Sequence, residues 1–301
     1  MYTMNPIARA RLALEGLSVG DAFGEQFLHA GPATRSLAGS ERVMPAIASG
    51  RRWMWTDDTA MAISIVEVLE AHGGIEPDRL AEAFARRYAA DPARGYGGGA
   101  HQVLTAIASG TPFEVAAAEL FDGQGSRGNG GGMRSAPVGA YFADDVEAAV
   151  AHAARSAAPT HAHPDGVAGA VAIAVAAARV AAGERDPRAL LDTVVAHTPA
   201  GPTREGVRRA IALLDAEPST VAAELGNGSR VVAADTIPFA VWCAAMHLDD
   251  YAGACWACAS VGGDIDTTCA MVGGIIVGAV GLAGIPAAWR ASREPLPGGE
   301  V

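Results

Sequence analysis

Two short acidic segments stand far apart in a chain of 301 residues: Trp55-Thr56-Asp57-Asp58-Thr59 and Gly262-Gly263-Asp264-Ile265-Asp266-Thr267-Thr268. Each places Thr and Asp where a helical pattern starts, and there such residues cap the helix and complement its dipole by ~0.3 to 1 kcal/mol each. Capping explains either segment alone. Together they ask for more, because the second opens the most apolar helical stretch of the chain, where uncompensated carboxylates are costly to bury. The carboxylates of Asp57, Asp58, Asp264 and Asp266, with the hydroxyls of Thr56 and Thr267, form a hard oxygen donor set that suits Mg²⁺ or Mn²⁺ rather than a soft metal. Two such ions about 3.5 to 4 Å apart orient diols, polarise oxygens and activate water.

A third segment runs from Asp122 to Pro137, where Gly123, Gly125, Gly128, Gly130, Gly131 and Gly132 crowd around Arg127 and Asn129. Such a loop lets backbone N–H groups approach an anion closely, although composition alone leaves a plain surface loop equally open. The run Gly95-Tyr96-Gly97-Gly98-Gly99-Ala100 has glycines like those of a dinucleotide turn, but no strand precedes it, which excludes that reading. Cys255-Trp256-Ala257-Cys258 has the spacing of half a zinc or redox site, yet no second ligand pair follows. On a helix the i and i+3 positions share one face, so Cys255 and Cys258 read as two small buried thiols.

Helices must position these groups, since alternating β-branched runs bounded by turns are nearly absent. Met61, Ile65, Val68 and Leu69 form one stripe over Asp57 to His72, and Gly73-Gly74 stops it. Similar patterns predict helices over 78–90, 101–108, 112–121, 144–156, 166–182, 187–196, 203–216, 219–225, 235–246, 251–260 and 267–282. No joint between them is long or low in complexity, so the expectation is an all-α chain folded as one compact domain over residues 1–301. Hydrophobic residues make up 50% and aromatics only 6% of the chain, so its core is built from small aliphatic side chains that favour closely packed helices.

The balance of 22 basic and 33 acidic residues, a formal charge of −11, weighs against nucleic acid as a partner, because phosphate contacts need a basic surface. Two stretches mimic membrane spans, Val167 to Val180 and Cys269 to Trp289. Arg179 interrupts the first, while the second is dense in glycine and ends in Ile285-Pro286, so both are read as buried core helices. The N-terminal stretch carries Arg9 and Arg11 and no continuous apolar core before a small-residue cleavage site. A cytoplasmic protein with no membrane partner is expected.

In order along the chain, Gly16-Leu-Ser-Val-Gly-Asp-Ala-Phe-Gly24, Trp55-Thr-Asp-Asp-Thr-Ala-Met61, Arg127-Gly-Asn-Gly-Gly-Gly-Met-Arg-Ser-Ala-Pro-Val-Gly139, Thr160-His161 with Gly166 and Gly169, and Gly262-Gly-Asp-Ile-Asp-Thr-Thr268 resemble the ADP-ribosylglycohydrolase family, which includes the bacterial enzyme that reactivates ADP-ribosylated dinitrogenase reductase. Five motifs in the family's order span nearly the whole sequence. The resemblance implies an orthogonal multi-helix fold, a binuclear Mg²⁺ site and hydrolysis of the C1″ glycosidic bond of ADP-ribosyl groups on protein side chains or small molecules. It assigns Thr56, Asp57, Asp58, Asp264, Asp266 and Thr267 to the metals, and Asp58 and Asp266 to catalysis as well. It places Asp21, Arg127, Gly128, Asn129, Gly130, Gly131, Met133 and His161 against the substrate.

One position departs from the pattern. Many members carry an acid about seven residues after the Asp of the Gly-Asp motif, and here that position is Leu28. Glu25 is the nearest acid and takes the catalytic assignment. A non-catalytic ADP-ribose sensor and a metal-dependent phosphohydrolase are the alternatives. The phosphohydrolase does not require the Gly-Asn-Gly loop and the Thr-His pair in this order. The leaving group, whether arginine, serine, a nucleic-acid base or a small molecule, is not specified by these motifs.

Overall fold

The computed structural model describes residues 4–28 and 52–297. Its helices are α1 (Pro6–Leu28), α2 (Asp57–His72), α3 (Pro77–Ala90), α4 (Gly98–Ala108), α5 (Phe113–Ala118), the single turn α6 (Gly130–Met133), α7 (Ala136–Tyr141), α8 (Val146–Ala157), α9 (Pro164–Ala181), α10 (Pro187–His197), α11 (Pro202–Ala210), α12 (Pro218–Leu225), α13 (Ala233–Met246), α14 (Tyr251–Val261), α15 (Ile265–Gly284) and α16 (Ala287–Ser292). Among the described residues the β features are two isolated bridges, Trp53 with Arg293 and Gly128 with Val232. The expected all-α fold is observed.

The central contact is α1 against α15. Gly16, Gly20 and Gly24 recur every fourth residue and so share one face of α1. A Cβ at Gly20 would lie 2.2 Å from the carbonyl oxygen of Cys269, and one at Gly24 would lie 2.4 Å from the Cα of Asp266. Backbone therefore packs on backbone, and any larger side chain would force the helices apart. The seam carries Asp21 to the first turn of α15, where Asp266 stands.

α1 is absent from the helices predicted above, because periodicity looks for large apolar residues and this packing face consists of glycines. The single turn α6 and the short helices α7 and α16 are likewise absent from the predicted set. Two further differences concern helix ends. The helix expected over 112–121 stops at Ala118, and the chain then turns with Phe121 at φ 54 and Asp122 at φ 57. The helix expected over 203–216 ends at Ala210 and tightens into a 3₁₀ turn at Ile211–Leu213.

α9 and α15 are long and apolar enough to cross a membrane, but the apolar windows of the two helices are 78% and 61% buried inside the fold, as core helices are. All four cysteines are buried free thiols, as read for the CxxC pair. The C-terminal segment braces the entry to α2: Trp53 N donates to Ser292 O at 2.7 Å and Glu294 N donates to Trp53 O at 2.8 Å. Arg94 adds a bidentate pair with Glu294 at 2.6 and 3.0 Å and lies over the Trp55 ring at 3.7 Å. The residues leading into Thr56 are thereby held from three sides.

Candidate active site

Three helices supply the floor of the site. Asp21 comes from the interior of α1, Asp58 from the first turn of α2 and Asp266 from the first turn of α15, and one oxygen from each falls within 4.8 Å of the other two. Asp21 does more than approach its neighbours. Its Oδ2 accepts the backbone N–H of Thr56 at 2.9 Å and of Thr59 at 3.1 Å, so a carboxylate remote in sequence caps the start of α2. Thr56 Oγ1 donates within the pair formed by Asp21 Oδ1 at 2.9 Å and Asp58 Oδ2 at 3.1 Å, and Thr267 Oγ1 reaches Asp58 Oδ2 at 3.4 Å.

Asp57 and Asp264, both half-buried, form the rim above this floor. Asp264 lies within hydrogen-bond reach of Asp266 and Thr267. Asp21, expected among the substrate contacts, is fully buried and stands with the acids instead, because the glycine seam turns it toward α2 and α15.

Such crowding disfavours the ionised forms. Burial pushes Asp21 up to about 6 against the hydrogen bonds it accepts, and burial with the charge of Asp21 pushes Asp57 up to about 7. Asp58 and Asp266 are driven well above the ordinary carboxylate range, by burial first and then by the neighbouring acids. Asp58 Oδ1 and Asp266 Oδ1 are buried without a hydrogen-bond partner. Carboxylates that repel one another, with orphaned oxygens turned into the same cluster, fit a bound metal ion, and hard oxygen donors suit a hard cation.

A wall of neutral groups rises beside the floor. Asn129 does not use its side chain to cap α6; its Nδ2 donates to Asp264 Oδ2 at 2.6 Å and to Thr236 Oγ1 at 3.2 Å. The Gly-rich loop is therefore tied directly to the acidic rim. His161 is buried behind the loop, and burial together with the nearby Arg134 charge pushes it down to about 3, so its ring is neutral. A Cβ at Gly128 or Gly130 would lie 3.4 or 3.5 Å from its Nε2.

Arg127 is exposed, and Gly128 and Gly130 are half-buried beside the His161 ring. Gly131 and Met133 are different. The turn of α6 directs Gly131 at α9, where a Cβ would meet Gly166 O at 3.1 Å, and places Met133 in the hydrophobic core, so both act in packing. Glu25 lies half-buried one turn beyond Asp21 on α1.

Several residues of the site escaped the sequence reading. Thr59 joins the cap by Asp21. The 226–232 loop forms a second strip of wall: Asn129 N donates to Val231 O at 3.3 Å, Ala233 N to Arg127 O at 3.0 Å and Asp264 N to Asn227 O at 3.2 Å. Gly226-Asn227-Gly228 is a readable turn signal, but its pairing with residues 127–129 is long-range and leaves no local trace. In this strip Val231 stays exposed on left-handed backbone, at 57% exposure, as does Phe121 at 60% in the turn that precedes the Gly-rich loop. A β-branched residue at φ 55 is strained, and such strain collects where a site needs a particular surface.

Residues 3–299 match the family described as ADP-ribosylglycohydrolase, and the chain belongs to that family, a family of hydrolases. ADP-ribosylhydrolase ARH3 of Homo sapiens is 31% identical over 274 residues, covering 80% of this chain and 74% of that protein. ARH3 of Mus musculus is 28% identical over 331 residues, covering 96% and 88%. A solved structure described as an ADP-ribosylglycohydrolase-related protein complex has the same fold, with a TM-score of 0.64 and 24% identity over 95% of this chain and 92% of that one.

Proposed function

We propose that this chain hydrolyses the C1″ glycosidic bond of ADP-ribosyl groups carried by protein side chains or small molecules, and that it does so with two magnesium ions. The carrying observation is the convergence of Asp21, Asp58 and Asp266, with two orphaned buried oxygens, beside an Asn129 that links the Gly-rich loop to Asp264. The family and the names of the ARH3 relatives support the substrate class. When bound, such ions supply charge that orients the distal ribose hydroxyls and polarises a water.

The chain's own groups do the rest. Thr56, Asp57, Asp58, Asp264, Asp266 and Thr267 hold the ions, with Asp21 bracing Thr56 and Thr59 from below. Arg127, Gly128, Asn129 and Gly130 hold the diphosphate and the adjoining ribose, and His161 faces the same stretch. Positive charge develops at C1″ and the ring oxygen as the bond breaks, so a water has to be held against that centre.

A poor leaving group also needs a proton. α1 continues as helix to Leu28, so Asp21, Glu25 and Leu28 recur at i, i+4 and i+7 on one stripe of it. Glu25 therefore offers an acid on the same stripe as position 28 and one turn nearer the cluster, and it is assigned the proton for the leaving atom. A cytoplasmic setting belongs to this reading, supported by four cysteines that are all free thiols.

Incubation with arginine-, serine- and base-linked ADP-ribosyl substrates, with and without Mg²⁺, tests the proposal by the release of free ADP-ribose. Release that depends on Mg²⁺ is expected from at least one of them. Leu28 supports a second reading, a sensor that binds ADP-ribose without turnover. Tight binding of ADP-ribose with no release from any substrate would select it.

A further inference from the structure

Arg134 follows α6 and is 1% exposed, yet among the described residues no carboxylate pairs with it directly. Its Nη2 donates to Ser156 O at 3.0 Å and to Thr160 Oγ1 at 2.7 Å, Nη1 lies 3.4 Å from Met61 Sδ, and the guanidinium stands over the Phe84 ring at 4.5 Å. Thr160 Oγ1 is in turn 2.7 Å from His161 Nδ1. A buried cation, a hydroxyl and an imidazole thus form a chain that ends beside Gly128 and Gly130. The backbone N–H of His161 donates to Ala157 O at 2.9 Å and anchors the ring at its root.

We propose that Arg134 and Thr160 are positioning residues that lock His161 in the neutral Nε2–H tautomer, so that Nε2–H donates to an anionic phosphate oxygen of a ligand lying along Gly128 and Gly130. The donor and acceptor inventory dictates the direction of the chain. A guanidinium has no acceptor, so the single proton of Thr160 cannot return to Arg134. His161 Nδ1 is the remaining acceptor in reach, and an Nδ1 that accepts carries no proton of its own. The proton of the neutral ring then resides on Nε2, which makes no hydrogen bond among the described residues. Burial of Arg134 beside the ring adds a second bias, since its charge opposes protonation of both nitrogens. The ligand assignment rests on the ADP-ribosyl reading above; the tautomer assignment rests on hydrogen bonds alone.

Long-range ¹H–¹⁵N correlation of the histidine rings, with His161 identified by its loss in His161→Gln, reads the tautomer directly. The unmutated protein at neutral pH is expected to show a protonated Nε2 and an unprotonated Nδ1. Thr160→Val should give a mixture of tautomers and weaken ADP-ribose about tenfold, as loss of one hydrogen bond to a charged group does. Thr160→Ser should restore both readouts, and Mn²⁺ affinity should be unchanged in either variant. A ring with its proton on Nδ1 or on both nitrogens in the unmutated protein, or normal ADP-ribose affinity in a folded Thr160→Val with altered tautomers, overturns the proposal. If Thr160→Val fails to fold, the spectrum of the unmutated protein and the Thr160→Ser variant decide. An Nε2–H ring in a protein that binds no ADP-ribose would refute the ADP-ribosyl reading while supporting the tautomer lock.

Discussion

The floor and the wall of the site solve opposite electrostatic problems. The floor gathers like charges: Asp21, Asp58 and Asp266 face one another from three helices, and among the described residues helix starts and a glycine seam rather than cationic partners hold them there. The wall is made of neutral donors, the loop backbone and the His161 ring, and the Asn129 amide ties it to Asp264 and Thr236. A cluster of repelling acids is stable only when cations or protons join it. Neutral donors in a fixed arrangement suit an anion that brings its own charge. The difference predicts that damage to the floor acts on cation binding and rate, whereas damage to the wall acts on ligand affinity.

The largest effect should follow Asp266→Asn, which keeps the shape of the floor and removes one negative donor. Turnover is expected to fall about a thousandfold, near the upper figure for deleting one group that acts electrostatically in a reaction. ADP-ribose affinity should fall far less, because the wall is intact; equal losses in rate and affinity, measured by kinetics and calorimetry, would erase the distinction between the two regions. Glu25→Gln comes next. Removal of a general acid costs about a hundredfold in rate at the low end of its usual range. Mg²⁺ affinity should be preserved, and near-normal turnover would return Glu25 to a structural role.

The pH dependence isolates the floor from the wall. In the ion-free protein Asp21 and Asp57 hold their protons up to about 6 and about 7, against 3.8 for the unfolded chain. Folded carboxyls with raised values bind more protons than the unfolded chain does, so their contribution to stability is lost as pH rises from about 4 to 7. A cation that replaces those protons should restore it. Mg²⁺ at a hundred times its pH 7.5 Kd is expected to stabilise the fold by about 2.7 kcal/mol at that pH, and the same concentration should raise the melting temperature less at pH 5. Thermal melts at the two pH values check this, and an equal Mg²⁺ increment at both would contradict it.

How much of this was readable before the fold depended on whether the information was local. The starts of α2 and α15 are written in Thr and Asp, and the acids there were identified from those residues. The partner that completes the floor has no such local signature, since Asp21 sits on a helix whose glycine face gives no apolar period. Within the Gly-rich segment, composition could not separate Asn129 and Gly130, which meet Asp264 and His161, from Gly131 and Met133, which serve the core one residue further round the turn. Arg134 and the 226–232 loop were invisible for another reason: their partners lie on other elements, and no spacing within either segment announces them.

The smallest predicted effect probes the wall alone. A Cβ added at Gly130 would lie 3.2 Å from His161 Cε1, tighter than ordinary contact but short of a backbone collision. The ring has to yield by a few tenths of an ångström, and its Nε2 moves with it. Gly130 has no left-handed φ, so alanine meets no backbone strain there, and folding stability should change by less than about 1 kcal/mol. ADP-ribose affinity should drop about tenfold, the equivalent of one weakened hydrogen bond to a charged group. Mg²⁺ affinity should not move, since the acids stand on α1, α2 and α15 and none of them touches Gly130. Calorimetric titration with each ligand separates these outcomes. Loss of Mg²⁺ binding in Gly130→Ala would mean that floor and wall are one coupled unit rather than two.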